Sequence, residues 1–358
     1  MERFRRACER RLQERYSASD RLWAARRLDQ ELKTMRERGH DQAFEEAITT
    51  AQLIRDRGDS CRLIGAGCCS LVAYLTDLSE VDPIEHGLPY ERFLETGQGR
   101  TVHFMFVATT PTIIEREVAA EGPTLLKSEA VTVHPATTLE AVPCLVARRV
   151  RRQHSGIWLN PIAWGDPAAF ALLQSGDIEG IYQLNGTKLK ELLPALKPRS
   201  LIDIAAITAV YLGELSHPGL IARYINRASD GTARRPNWIV EETLQETRGL
   251  ILFQEQVMLL LNRLAGIPLA DGYAFVKAVS KRNWEQIGTF AEWFMAEADK
   301  AALEEWDSGE LFETIREAAA WAVCKSHHLA QAVTTYQAAY LKAHHPDEFH
   351  RALKLVHH

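Results

Sequence analysis

A chain of 358 residues has room for a sizeable core divided into two or three subdomains. With 46% hydrophobic and 25% charged residues it has the composition of a folded protein, and no apolar run reaches membrane-spanning length. A net charge of −5 argues against strong, indiscriminate nucleic-acid binding and leaves only local basic patches to hold phosphate.

The first twenty residues alternate charge without an apolar centre, unlike a signal peptide, so a cytoplasmic location and no membrane partner are expected. Residues 1 to about 57 read as amphipathic helices. Leu22, Trp23, Leu28, Leu32 and Met35 recur at helical spacing before a loop at 38–41, and Phe44, Ile48, Ala51 and Ile54 continue beyond it. RLIGAGCCSLVAYL (62–75) follows as a short apolar run, a Gly-x-Gly turn at Gly65 and Gly67, and an apolar helix. Such a turn can aim backbone N–H groups at a phosphate, although close packing of a strand on a helix asks for the same glycines.

VHFMFVA (102–108) is a buried strand by composition, and AVTVH (130–134) and VPCLVA (142–147) supply two further strand candidates. Between the first two lie only residues 109–129, a loop in which Ile113 to Ala120 can form one short helix. ARRVRRQH (147–154) makes Arg148, Arg149, Arg151 and Arg152 the candidate DNA-contacting residues, with a solvated loop as the plain alternative. After Trp164 the pattern is almost wholly helical. The chain therefore divides into N-terminal helices (1–57), a mixed α and β part (58–163) and a helical part (164–358), an α+β fold without internal repeats.

The most specific stretch is WAVCKSHHLAQAVTTYQAAYLKAHHPDEF (321–349). Ala330, Val333, Tyr336 and Tyr340 keep helical spacing until Pro346, which puts Lys325, Ser326 and His327 at the helix start. Unpaired N–H groups and the dipole there favour an anion, while a surface lysine beside a capping serine is the local alternative. The six cysteines form no C-x-x-C pair and read as reduced core thiols. His327, His328, His344, His345 and His350 fit no metal-ligand spacing and are expected to face solvent, so no metal site is expected.

Four blocks together resemble the alpha subunit of bacterial DNA polymerase III, the C-family replicative polymerase: GAGCCSLVAY with VDPIEHGLPYERFL, GDIEGIYQLNGTKLKELLPALKP, ETRGLILFQEQVMLLLNRLAG, and CKSHHLAQAVTTYQAAYLKAHHPDEF. The resemblance runs from about Arg21 to His350 and corresponds to a middle piece of the family's longer chain, between its amino-terminal PHP domain and the parts beyond the fingers. It implies a small polymerase-beta-like nucleotidyltransferase palm sheet with flanking helices at 58–163, the thumb nearly absent, and a helical fingers-like domain at 164–358. It also implies that Gly65, Gly67, Lys277, Lys281, Arg282, Lys325 and His327 keep a residual nucleotide- or phosphate-binding role.

The family's chemistry is two-metal phosphoryl transfer, which needs carboxylates a few ångströms apart to hold two Mg²⁺ ions. The strand that should carry alternating aspartates reads Thr101, Val102, His103, Phe104, Met105, Phe106, Val107, Ala108, with no carboxylate. The later stretch ARRVRRQHSGIWLN has none either. Where the family has an arginine, glycine and serine, this chain has Ile64, Gly65 and Ala66, and Leu212 replaces a fingers arginine. The expectation is a catalytically inactive accessory or scaffold protein in DNA replication, repair or a related transaction. It would use no cofactor, Mg²⁺ entering only with residual activity, and it would work with another replication or repair protein while binding DNA weakly if at all. The alternatives are a divergent nucleotidyltransferase using Glu115, Glu117 or Asp166, and a protein-interaction module without nucleic acid.

Overall fold

The computed structural model describes residues 2–56, 59–95, 102–109, 126–153, 164–184, 186–215, 217–230, 237–298 and 308–356. Three helices open the chain: α1 (Glu2–Arg15), α2 (Arg21–Arg38) and α3 (Asp41–Asp56). Gly39 separates α2 from α3 by taking the left-handed φ of 69° at the C-cap, where its N–H donates to the Met35 carbonyl. Leu28, Leu32 and Met35 turn inward as the spacing predicts, with Ala24 beside them, whereas Leu22 and Trp23, expected on the same apolar face, are exposed.

A four-stranded mixed sheet follows, in the order β1 (Ser60–Ile64), β2 (Phe104–Thr109), β4 (Val131–Pro135), β3 (Leu126–Lys127). β1 runs antiparallel to β2, β2 parallel to β4, and β3 antiparallel to β4. Alternation along strands gives each face one set of residues. Phe104 and Phe106 point to the inner face, where Phe104 meets the rings of Phe44 and Phe93 at 4.8 and 5.1 Å. The expected strands at 102–108 and 130–134 are β2 and β4 within a residue or two.

The third expected strand is a helix. Residues 142–147 lie inside α6 (Thr138–Gln153), introduced after the short α4 (Leu71–Leu75) and α5 (Glu91–Leu94). Val142, Val146 and Val150, all fully buried, repeat every four residues and so share one helical face. β-branched residues suggest a strand locally, but burial of that face in tertiary packing overrides the propensity. The helix expected at 113–120 lies outside the described residues.

Eleven described helices and a short 3₁₀ turn (Gln245–Thr247) complete the chain: α7 (Pro167–Ser175), α8 (Thr187–Leu196), α9 (Leu201–Gly213), α10 (Leu220–Asp230), α11 (Trp238–Leu244), α12 (Gln254–Ala265), α13 (Leu269–Ser280), α14 (Trp284–Ala298), α15 (Ser308–Ala319), α16 (Lys325–His344) and α17 (Pro346–Val356). One hydrophobic core runs from Phe4 in α1 to Leu353 in α17, with most of α16 buried at its centre. A second core lies between Val240 and Ala322, formed by α11 to α15. Trp321 packs against both. Among the described residues no helix is long and apolar enough to cross a membrane.

Candidate functional site: the outer sheet face and two helix starts

The outer face of the sheet carries Ser60, Arg62 and Ile64 from β1, Met105, Val107 and Thr109 from β2, Thr132 and His134 from β4, and Lys127 from β3, by the register of the strands. Met105, Val107 and Thr109 are the alternate β2 positions on this face. None of the nine is a carboxylate, and two are cations. Arg62 stands opposite Val107, and its guanidinium is 4.0 Å from the buried Glu140 carboxylate of α6. Burial pushes the Glu80 carboxyl up, the positive charges of Arg62 and Arg55 oppose that shift, and Gln337 of α16 donates to Glu80 at 3.2 Å. His103, just before β2, contacts the Glu129 carbonyl through Nδ1 (2.9 Å) and the Thr132 hydroxyl through Nε2 (2.8 Å). A carbonyl only accepts, so Nδ1 donates.

A pair of Mg²⁺ ions does not fit this face. Divalent magnesium takes oxygen ligands from carboxylates, whereas here an arginine occupies the register position beside the centre of β2, and Glu140 is turned to it. Among the described residues no cluster of three His, Cys, Asp or Glu side chains is arranged to hold a metal. Glu115 and Glu117 lie outside the described residues. Asp166 caps α7, accepting from the Ala169 N–H at 2.8 Å, and its carboxylate is 3.0 Å from His344.

The Gly-x-Gly turn forms as the spacing predicts: β1 leads into a 3₁₀ turn (Gly65–Cys69) and then α4. Gly65 has φ +78°, and a Cβ there would lie 2.7 Å from the Met105 terminal methyl; at Gly67 it would meet Leu63 at 3.1 Å. The glycines therefore let the turn pack onto β1 and β2. The first N–H groups of α4 already have an anion. Leu71 and Val72 donate to Glu31 at 2.9 and 3.2 Å, and the Ser70 hydroxyl donates to the same carboxylate at 2.8 Å. Glu31 is 0% exposed and is held by Arg27, whose Nε lies 2.6 Å away. Arg27 also donates to the Cys69 and Leu88 carbonyls.

The start of α16 repeats the device. Lys325 N–H donates to Glu255 Oε2 at 2.7 Å and Ser326 N–H to Oε1 at 3.2 Å, and Glu255 is 0% exposed. Lys325 is 4% exposed, so it is neither a surface lysine nor an open one. Its Nζ donates to the His86 carbonyl at 2.6 Å and pairs with Glu246 at 2.7 Å. Burial lowers the pKa of the adjacent half-buried His327. His86 is lowered to about 4 by burial and by the Lys325 charge, and His328 to about 4 by burial and by His327.

The expectation that the histidines face solvent fails for His328, which is buried inside α16 with Nδ1 3.1 Å from the Thr208 hydroxyl. His344 and His350 are exposed. The 3₁₀ turn packs against α16, bringing Gly65 and Gly67 to the helix that carries Lys325 and His327. Lys277, Lys281 and Arg282 stand apart, exposed at the end of α13 and the turn after it; Lys277 Nζ lies 4.8 Å from the Tyr273 ring. Arg148 is on α6 rather than in a loop and pairs with the buried Asp59 at 3.6 Å. Arg149, Arg151 and Arg152 belong to the same helix, and their side chains lie outside the described residues.

Glu31 and Glu255 escape sequence reasoning because the groups they cap lie 40 and 70 residues away. A glutamate in the middle of an otherwise apolar helical face is the one local signal, and Glu31, next to Leu28 and Leu32, gives it.

Comparison with known proteins places these features. A family described as bacterial DNA polymerase III alpha NTPase domain matches residues 2–101, and one described as bacterial DNA polymerase III alpha subunit finger domain matches 138–302. The DNA polymerase III subunit alpha of Thermus aquaticus is 31% identical over 244 residues, covering 66% of this chain and 20% of that protein. Those of Aquifex aeolicus and Bacillus subtilis are 32% and 30% identical, covering 65% and 62% of this chain. The chain spans about 20% of the length of these three relatives.

Proposed function

The chain belongs to the bacterial DNA polymerase III alpha family, and from that premise we propose that it serves DNA replication, repair or a related DNA transaction without transferring nucleotides. In this reading the palm and fingers regions act as an accessory scaffold in the cytoplasm, engaging another replication or repair protein and contacting DNA only weakly. No cofactor is needed for such a role.

The observation that carries this reading is the use made of the anion-binding positions. In the block that resembles the start of the family's palm and in one that resembles its fingers core, the helix-start N–H groups are taken by buried glutamates of the chain itself. The outer sheet face between them presents Arg62 and Met105 where metal chemistry asks for carboxylates. An entering triphosphate would have to displace Glu255 from two N–H groups and Lys325 from Glu246, which sets charge-assisted hydrogen bonds against the ones gained.

Primer extension with Mg²⁺ or Mn²⁺ tests the proposal. The expected result is no nucleotide incorporation on a primed template, and robust templated synthesis overturns it.

A further inference from the structure

The turn between α13 and α14 holds an exposed aromatic among cations that neither core uses. Lys281 is the C-cap of α13, Arg282 takes the left-handed φ of 55°, and Asn283 accepts from the Gln286 N–H at 3.3 Å to start α14, whose first residue is Trp284. The indole is 65% exposed. Lys281 and Arg282 are exposed, and among the described residues neither makes an ion pair. From 281 to 286 Glu285 is the one carboxylate. Leaving so large an apolar ring in water forfeits burial that tryptophan ordinarily gains in a core or an interface.

We propose that Trp284, with Lys281 and Arg282, is a stacking site for an unpaired stretch of DNA. The inference rests on the DNA-associated role proposed above and gives it a strand type and a place. Two cations without partners among the described residues suit a phosphate backbone, and an open indole face suits a base whose own face is free. A duplex hides its base faces except at its ends. A protein interface core would be depleted in lysine, so the charge beside the ring favours nucleic acid over a protein partner.

The test is fluorescence anisotropy of the whole chain with three labelled probes: an oligothymidylate of about sixteen nucleotides, an abasic oligomer of equal length, and a primed template. Trp284→Ala should weaken oligothymidylate binding roughly five- to a hundredfold and leave the abasic oligomer unaffected, while Trp284→Phe retains most of the affinity. The double substitution Lys281→Gln, Arg282→Gln should flatten the slope of log affinity against log salt by about 1.4. Equal affinity of wild type and Trp284→Ala for oligothymidylate overturns the proposal, as does oligothymidylate binding no tighter than abasic binding. If the primed template still binds in either of those cases, the stacking site falls and the DNA-associated role stands. Loss of all three probes in the wild type removes both.

Discussion

Glu31 and Glu255 decide what the two most recognisable stretches can do. A buried carboxylate that accepts from two backbone N–H groups is costly to remove, because each N–H then stays desolvated and unpaired. Glu255→Gln is expected to lower the unfolding free energy by roughly 1–3 kcal/mol in urea denaturation, while Glu241→Gln on the exposed side of α11 changes it by less than about 0.5 kcal/mol. The histidines add a pH dependence. His86 and His328 are held to about 4 in the folded chain against an ordinary 6.5, so the unfolded chain binds more protons between those values. Their contribution is complete above pH 6.5 and is lost as pH falls towards 4, at up to about 1.4 kcal/mol per pH unit for each. His328→Gln, which keeps a polar partner for Thr208, should remove about half of that histidine-linked loss in thermal melts between pH 6.5 and 5. Apart from Glu31, flanked by Leu28 and Leu32, none of this is legible locally: Lys325 and His328 look like surface groups until α16 is placed at the centre of the core.

The elements were more legible than the contacts between them. Helical spacing identifies α2, α3 and α16, Gly65 and Gly67 mark the strand-to-helix turn, and β2 and β4 follow from their apolar runs. Residues 142–147 misread because valines beside a proline look extended, although Val142, Val146 and Val150 share a helical face when followed for two turns. The sheet register decides the meaning of Gly65, since β1 pairs Ile64 with Met105 and brings that side chain under the turn. Gly65→Ala should cost roughly 1–2 kcal/mol from its left-handed backbone alone. Adding Met105→Ala removes the contact but leaves that backbone cost, so in chemical denaturation the double variant should stay less stable than Met105→Ala alone.

At the scale of the whole molecule, two cores meet at a seam around Trp321. Trp321 touches both, the Gln254 N–H donates to the Val323 carbonyl at 2.9 Å, and the Val323 N–H donates to Leu252 at 3.0 Å. Across it Arg92 donates to the Gln254 side chain at 2.8 Å. Trp321→Ala should therefore separate urea unfolding into two steps, followed by far-ultraviolet circular dichroism; a single transition as sharp as the wild type's would mean the seam does not depend on that ring. The same assembly sets Glu140 and α16 against the outer palm face that carries Arg62. The central claim is that this face, built on Arg62, Met105 and Val107, has no place for divalent metal. Titrating Mn²⁺ into the chain with a dideoxy-terminated primed template and matching nucleotide, and following free Mn²⁺ by electron paramagnetic resonance, tests it most directly. A face without carboxylates predicts that the chain adds no saturable Mn²⁺ uptake beyond that of the DNA and nucleotide alone. Stoichiometric uptake of one or two ions per chain would contradict it.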